Sequence, residues 1–220
     1  MGQLRDFVTP LHTRTRRDCL ARMVDRKVEA MGVAKRYGAE YWDGDRRYGY
    51  GGYRYDGRWR PVAERMAAAY GLGPGSRILD LGCGKAHLLY ELQQLLPGAQ
   101  VQGCDLSQYA LDHAPESIRP HLFRHDLAEP LPFPDRSFDL VLSLGTLHNL
   151  RLFQLKTALA EMARLAPAQY LMVESYRDDQ ELFNLQCWAL TAQSFFDAEE
   201  WVWLLGHFGY GGDYEFITFD

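Results

Sequence analysis

The 220-residue sequence has no apolar run approaching the roughly 18–20 uncharged residues of a membrane span, and no internal repeat. Its opening residues, MGQLRDFVTPLHTRTRRDCL, lack the apolar centre of a signal peptide, and Asp6 stands where a myristoylation signal needs Ser or Thr. A cytoplasmic protein with no membrane partner is expected. Cysteine is scarce: Cys19, Cys83, Cys104 and Cys187 show neither CxxC nor Cys/His ligand spacing, so reduced structural thiols and no metal are expected. Charge is not dominated by one sign either, but the net −5 conceals an uneven distribution. Residues 1–60 hold 14 Lys and Arg against 8 Asp and Glu, whereas residues 61–220 hold 10 against 21. The acidic body would repel nucleic acid and no nucleic-acid-binding motif is present, so no such partner is expected. The basic segment either docks on that body or faces an anionic small molecule.

What is present reads as one domain with an appendage. From Arg16 to Tyr37, Leu20, Met23, Val24, Val28, Met31 and Ala34 recur at spacings of three and four, which predicts an amphipathic helix ending at Gly38. The segment 48–59, YGYGGYRYDGRW, is rich in tyrosine and glycine, and Pro61 then opens a second short helix. Residues 1–70 read as a cap leaning on a core of residues 71–220. In that core RILDL (77–81), QVQGCD (100–105), LFRHD (122–126), FDLVLSL (138–144), QYLMVES (169–175) and a late YEFITF are expected strands, with helices between most of them. This alternation predicts a doubly wound α/β sheet with helices on both faces.

The most informative stretch is RILDLGCGKAH (77–87): an apolar strand, an acid near its end, then Gly82-Cys83-Gly84 before a helix. A dinucleotide-binding turn would read GxGxxG, yet His87 occupies the third small position and Asp80 would repel a pyrophosphate. A carboxylate there suits a ligand carrying an amine and a positive charge.

This pattern resembles the class I S-adenosylmethionine-dependent methyltransferases, whose first motif is an acid followed by GxGxG; Ala86 replaces the third glycine. The resemblance continues through Asp105 in GCDLS, Asp126 in FRHDL and FDLVLSLGTLHNL. It implies a Rossmann-like, mostly parallel sheet of seven strands, the C-terminal one antiparallel, and S-adenosylmethionine as cofactor. The implied cofactor site comprises Asp80, Gly82, Cys83, Gly84, His87, Asp105, Leu106, Asp126, Leu127 and Ser143, with Asp105 on the ribose hydroxyls and Asp126 at the adenine amine. His148 and Glu174, after the fourth and at the end of the fifth strand, are the candidate catalytic groups. Tyr48, Tyr50, Tyr53, Arg46 and Arg58 are the expected lid and acceptor contacts. The implied activity is methyl transfer to a small anionic or polyhydroxylated acceptor by a monomer or homodimer. A protein or RNA methyltransferase, or a non-catalytic cofactor-binding protein whose cap binds a partner, are the alternatives.

Overall fold

The computed structural model describes residues 2–15, 17–51 and 53–220. Arg16, with which the first expected helix begins, and Gly52 of the tyrosine-rich segment lie outside the described residues. Helices α1 (Thr9–His12), α2 (Cys19–Val24), α3 (Lys27–Ala34), α4 (Ala39–Trp42) and α5 (Arg60–Ala69) precede the sheet. Strands β1 (Arg77–Leu81), β2 (Gln100–Asp105), β3 (Leu122–Arg124), β4 (Leu140–Leu144), β5 (Ala168–Glu174) and β6 (Asp213–Ile217) follow. They are joined through α6 (His87–Leu95), α7 (Gln108–Asp112), α8 (Leu152–Leu165), α9 (Asp179–Trp188) and α10 (Ala198–His207). The strand order is β3-β2-β1-β4-β5-β6 and every neighbouring pair is parallel. The order reverses between β1 and β4, so a crevice opens beyond their carboxyl ends, where doubly wound sheets bind ligands.

Two expectations are corrected. Among the described residues the sheet has six strands rather than seven, and β6 runs parallel to β5, with Tyr170 opposite Asp213 and Glu174 opposite Ile217. The connection explains the direction. An antiparallel neighbour follows a chain that turns back at one end of the sheet, whereas α9 and α10 return the chain from the end of β5 to its beginning. The other side of β6 is met by residues 3–5, through backbone hydrogen bonds between Arg5 and Tyr214 and between Tyr214 and Gln3.

The two-residue strand period sends alternate side chains to opposite faces. Leu79, Leu81, Val141, Leu171 and Val173 meet Leu155, Leu159 and Met162 of α8 and Trp201 and Leu205 of α10. Ile78, Val101, Leu140, Leu142 and Met172 meet Val62 and Met66 of α5 and Leu89 and Leu92 of α6. Both faces being covered, the strands read as nearly continuous apolar runs.

The cap departs from the single expected helix. The chain breaks between α2 and α3, where Arg26 adopts a left-handed conformation (φ 47°). The break turns part of the expected buried face outward: Leu20 is 59%, Val24 77% and Val28 85% exposed, while Ala34 and, in part, Met31 stay inside with Ala30. Arg22 fastens α2 to its surroundings, donating to the carbonyls of Arg46, Gly49 and Trp188, with its guanidinium 3.8 Å from the centre of the Trp188 ring.

The N-terminal residues are held by the last strand. Fully buried Glu215 accepts hydrogen bonds from the backbone N–H groups of Val8 and Thr9, the Thr9 hydroxyl and the Tyr170 hydroxyl. The first two are unpaired donors of α1, so the carboxylate caps that helix from across the molecule. Asp213 likewise takes hydrogen bonds from Gln3 N–H, Arg5 and Tyr70. Glu215→Ala leaves buried donors unpaired and is expected to cost about 3 kcal/mol in urea unfolding, with faster amide exchange confined to residues 2–13 and their contacts. An unchanged midpoint would show that the strap is held otherwise.

Candidate cofactor and acceptor site

The chain after β1 turns tightly beneath the crevice. Gly82 (φ 80°) donates its N–H to Cys104 carbonyl at 2.8 Å, and a Cβ on it would lie 2.2 Å from the Thr146 hydroxyl. Only glycine fits that approach and that backbone. Ala86, standing where the motif has its third glycine, is itself left-handed (φ 54°), so the substitution changes the residue and not the path of the chain.

Asp105 ties the first two strand ends together. One carboxylate oxygen accepts from Gly84 N–H and the other from Ser107 N–H, both at 2.8 Å. Burial raises its pKa above the usual carboxylate value, against the pull of those hydrogen bonds. Asp80 is buried with one oxygen, Oδ1, lacking any hydrogen-bond partner, and burial together with Asp105 pushes its carboxyl well up. A cation beside it would relieve both effects.

The cap closes directly over this turn. The Trp42 ring lies so close to Gly84 that a Cβ there would sit 2.8 Å from it, and Trp42 Nε1 donates to Ser107 Oγ at 2.8 Å. Beside it Lys85 Nζ pairs with Asp43 at 2.6 Å, and the Tyr109 hydroxyl donates to the same carboxylate. Between cap and strand ends lies a cavity of about 500 Å³, within the range of small-molecule sites.

Asp80, Gly82, Cys83, Gly84, His87, Asp105, Leu106, Asp126 and Leu127 all border that cavity, as do His148, Glu174, Tyr50 and Tyr53. Four expected residues do not. Ser143 is buried beneath, donating to the Leu81 carbonyl at 2.8 Å; Tyr48 packs among Tyr41 and its neighbours. Arg58 turns to Asp56, and Arg46 is exposed, its guanidinium 5.6 Å from the Trp188 ring centre. Their charges sit on a loop whose buried anchors are rings: the Tyr50 hydroxyl accepts from Leu190 and Thr191 N–H groups. Phe183 is exposed and Phe196 packs against Trp201, so of the aromatic residues between β5 and α10 it is Trp188 that reaches the cavity.

Sequence reasoning missed His12, Arg17, Trp42 and Phe219, which also border the cavity. The excess positive charge of residues 1–60 was a signal for the arginine, but it does not say which arginine turns inward. At this end His148 is buried, and its Nδ1 accepts the Glu174 backbone N–H at 3.3 Å. Its Nε2 lies 3.4 Å from Glu174 Oε2, an oxygen without a formed hydrogen bond. Burial lowers the His148 pKa, against the opposing pull of Glu174. The neutral ring therefore has its acceptor nitrogen engaged by backbone and turns its N–H side toward the carboxylate. His12 Nε2 donates to the Thr218 carbonyl at 2.8 Å, which leaves Nδ1 to accept from Arg17 Nη2 at 3.0 Å.

A family profile described as methyltransferase domain matches residues 78–167, the span from β1 to the end of α8. An uncharacterized methyltransferase of Synechocystis is 34% identical over 114 residues, covering 51% of this chain and 53% of that protein. The chain is thus similar to methyltransferases over about half of its length. The trans-aconitate 2-methyltransferase of Mycobacterium tuberculosis is 34% identical over 113 residues, or 49% of this chain and 38% of that one. The chain thus spans about half or less of the length of these curated relatives. A methyltransferase of Haloferax volcanii, solved in complex with the Trm112 methyltransferase activator, shares the fold with a TM-score of 0.57 at 20% identity, covering 89% of this chain and 77% of that one.

The residues here fit the cofactor that such a domain implies, S-adenosylmethionine: its sulfonium and ammonium are cations, and the turn offers a buried carboxylate at Asp80 whose Oδ1 has no partner among the described residues.

Burial and the Arg17 guanidinium push His12 down to about 4 from its ordinary 6.5. Protons then bind the unfolded chain more readily, so the protein loses stability as pH falls from about 6.5 to about 4. Relative to His12→Gln, the native protein should lose about 1–2 kcal/mol more between pH 7.5 and pH 5 in urea titrations. Parallel profiles would contradict the buried neutral ring.

Proposed function

We propose that the protein transfers a methyl group from S-adenosylmethionine to a small anionic or polyhydroxylated acceptor held beneath a cap formed by residues 1–70, over a core of residues 71–220. One observation carries this reading: a single cavity is bordered by Asp80, Gly84 and Asp105 at one end and by Arg17, His148 and Glu174 at the other. Cofactor and acceptor then share one chamber, roofed by Tyr41, Trp42, Tyr50 and Tyr53. A roof of rings suits a small molecule and excludes water from the reacting centre. The relative named for trans-aconitate acts on a small anion, in keeping with this acceptor class.

When bound, the cofactor supplies an electrophilic methyl on a positively charged sulfur, which keeps the bonding pair as the methyl departs. Asp80 would face the cationic methionine end, Asp105 the ribose hydroxyls, and Asp126 with Leu106 and Leu127 the adenine. The chain's remaining task is to align the acceptor, keep water out and receive a proton. Of the two candidate bases the geometry supports Glu174. Its Oε2 has no hydrogen-bond partner, whereas His148 offers no free acceptor nitrogen in its neutral form. His148 acts here as a positioning residue, its ring fixing the carboxylate that takes the proton.

S-adenosylhomocysteine is expected to raise the melting temperature and to bind in calorimetry; no binding at millimolar ligand would remove this function. Asp105→Ala should weaken that binding about 10- to 150-fold, the worth of hydrogen bonds to a charged partner. Unchanged affinity would take the ribose role from Asp105.

A further inference from the structure

The acceptor end of the cavity holds a cation that the mechanism leaves unused. Arg17 is largely withdrawn from solvent, borders the cavity, and, among the described residues, has no carboxylate within ion-pair distance. Its protein partners are all neutral: Nη1 donates to the carbonyls of His12 and Thr15, and Nη2 to His12 Nδ1. Nε is buried with no hydrogen-bond partner among the described residues. Two of the five guanidinium N–H groups are therefore without a partner there, the number that a carboxylate accepts in a two-pronged pair. A half-buried charge without a counter-ion carries part of the cost of desolvation, and its ring neighbours, Phe219 at 5.3 Å and Trp188 at 5.6 Å, offset some of it.

The placement of Arg17 is also built, not incidental. Glu215 caps α1, α1 ends on His12, and His12 is locked by Thr218 so that its lone pair receives the guanidinium. Glu174, the other unpaired charge at this end, borders the same cavity without forming an ion pair with Arg17. The aromatic walls supplied by Tyr50, Trp188 and Phe219 suit a flat body spanning the two.

We infer that Arg17 is the anchor for a carboxylate on the acceptor, and that the acceptor is a small, flat carboxylic acid whose amine or hydroxyl faces Glu174. This rests on the methyltransferase reading, deepening it to a substrate class and a specificity residue. The carboxylate supplies the counter-ion that Arg17 lacks, and the distance between the poles selects which ring position carries the nucleophile.

The test uses the full chain saturated with S-adenosylhomocysteine, titrated calorimetrically with benzoate and its hydroxy and amino derivatives and, in parallel, with the corresponding benzamides. The expected result is that at least one carboxylate binds about 10- to 100-fold more tightly than its amide. Arg17→Met should abolish that preference, Arg17→Lys should restore part of it, and both should keep the affinity for S-adenosylhomocysteine. Carboxylates that bind no better than their amides, or a preference retained in Arg17→Met, would overturn the assignment. A purely structural Arg17 would lower the melting temperature and leave the carboxylate-to-amide ratio as it was. Failure of S-adenosylhomocysteine itself to bind would instead count against the methyltransferase reading, so the two are told apart.

Discussion

The seating of Trp42 and Asp43 on the glycine turn is the contact on which the rest of this molecule depends. The indole rests on Gly84 and reaches Ser107, and the neighbouring carboxylate pairs with Lys85 and Tyr109. The last residue of a short helix and the one that follows it thus bridge the first and second strand ends, the positions that Asp105 also joins. A side chain at position 84 would push the ring away. The turn therefore serves twice, offering backbone to a ligand and a flat seat to the cap. Without that seat the cavity would be an open crevice at the top of a sheet.

Closure has an electrostatic consequence. Taking Asp80, Glu174 and Arg17 out of water leaves each with an unmet partner, and such groups are held only when surrounding packing outweighs the cost. Here that packing comes from both ends of the chain. The N-terminal strap is fastened to β6 through Glu215 and Asp213, and the tyrosine-rich segment is fastened to the chain after α9 through the Tyr50 hydroxyl. The charges are then preorganised toward whatever enters, cationic at one end and carrying an acidic group at the other, which is the order a methyl donor and a carboxylate acceptor would require.

Local pattern carried much of this and failed where contacts are distant. Apolar runs marked the central strands β1, β4 and β5, because strands covered on both faces are apolar nearly throughout. Asp80, Gly82 and Gly84 were legible because their spacing is set by one strand and one turn, and Asp105 because it ends the next strand. The break at Arg26 was not, since a left-handed arginine carries no local signal, and the exposed faces of Leu20 and Val28 follow from it. The direction of β6 depends on how α9 and α10 cross the sheet, which no turn residue encodes. Arg17 and His12 reach the cavity only because Glu215 and Thr218, some two hundred residues away, hold the strap. The arginines of the tyrosine-rich loop, nearer in sequence to the core, drew the expectation instead.

The most direct test of the central claim is a crystal structure of the protein with S-adenosylhomocysteine. The account predicts the ligand in the capped chamber, its ammonium beside Asp80, its ribose hydroxyls on Asp105, and Trp42 still seated over Gly84. A ligand bound elsewhere, or a chamber in which Asp80 and Asp105 engage nothing, would contradict it.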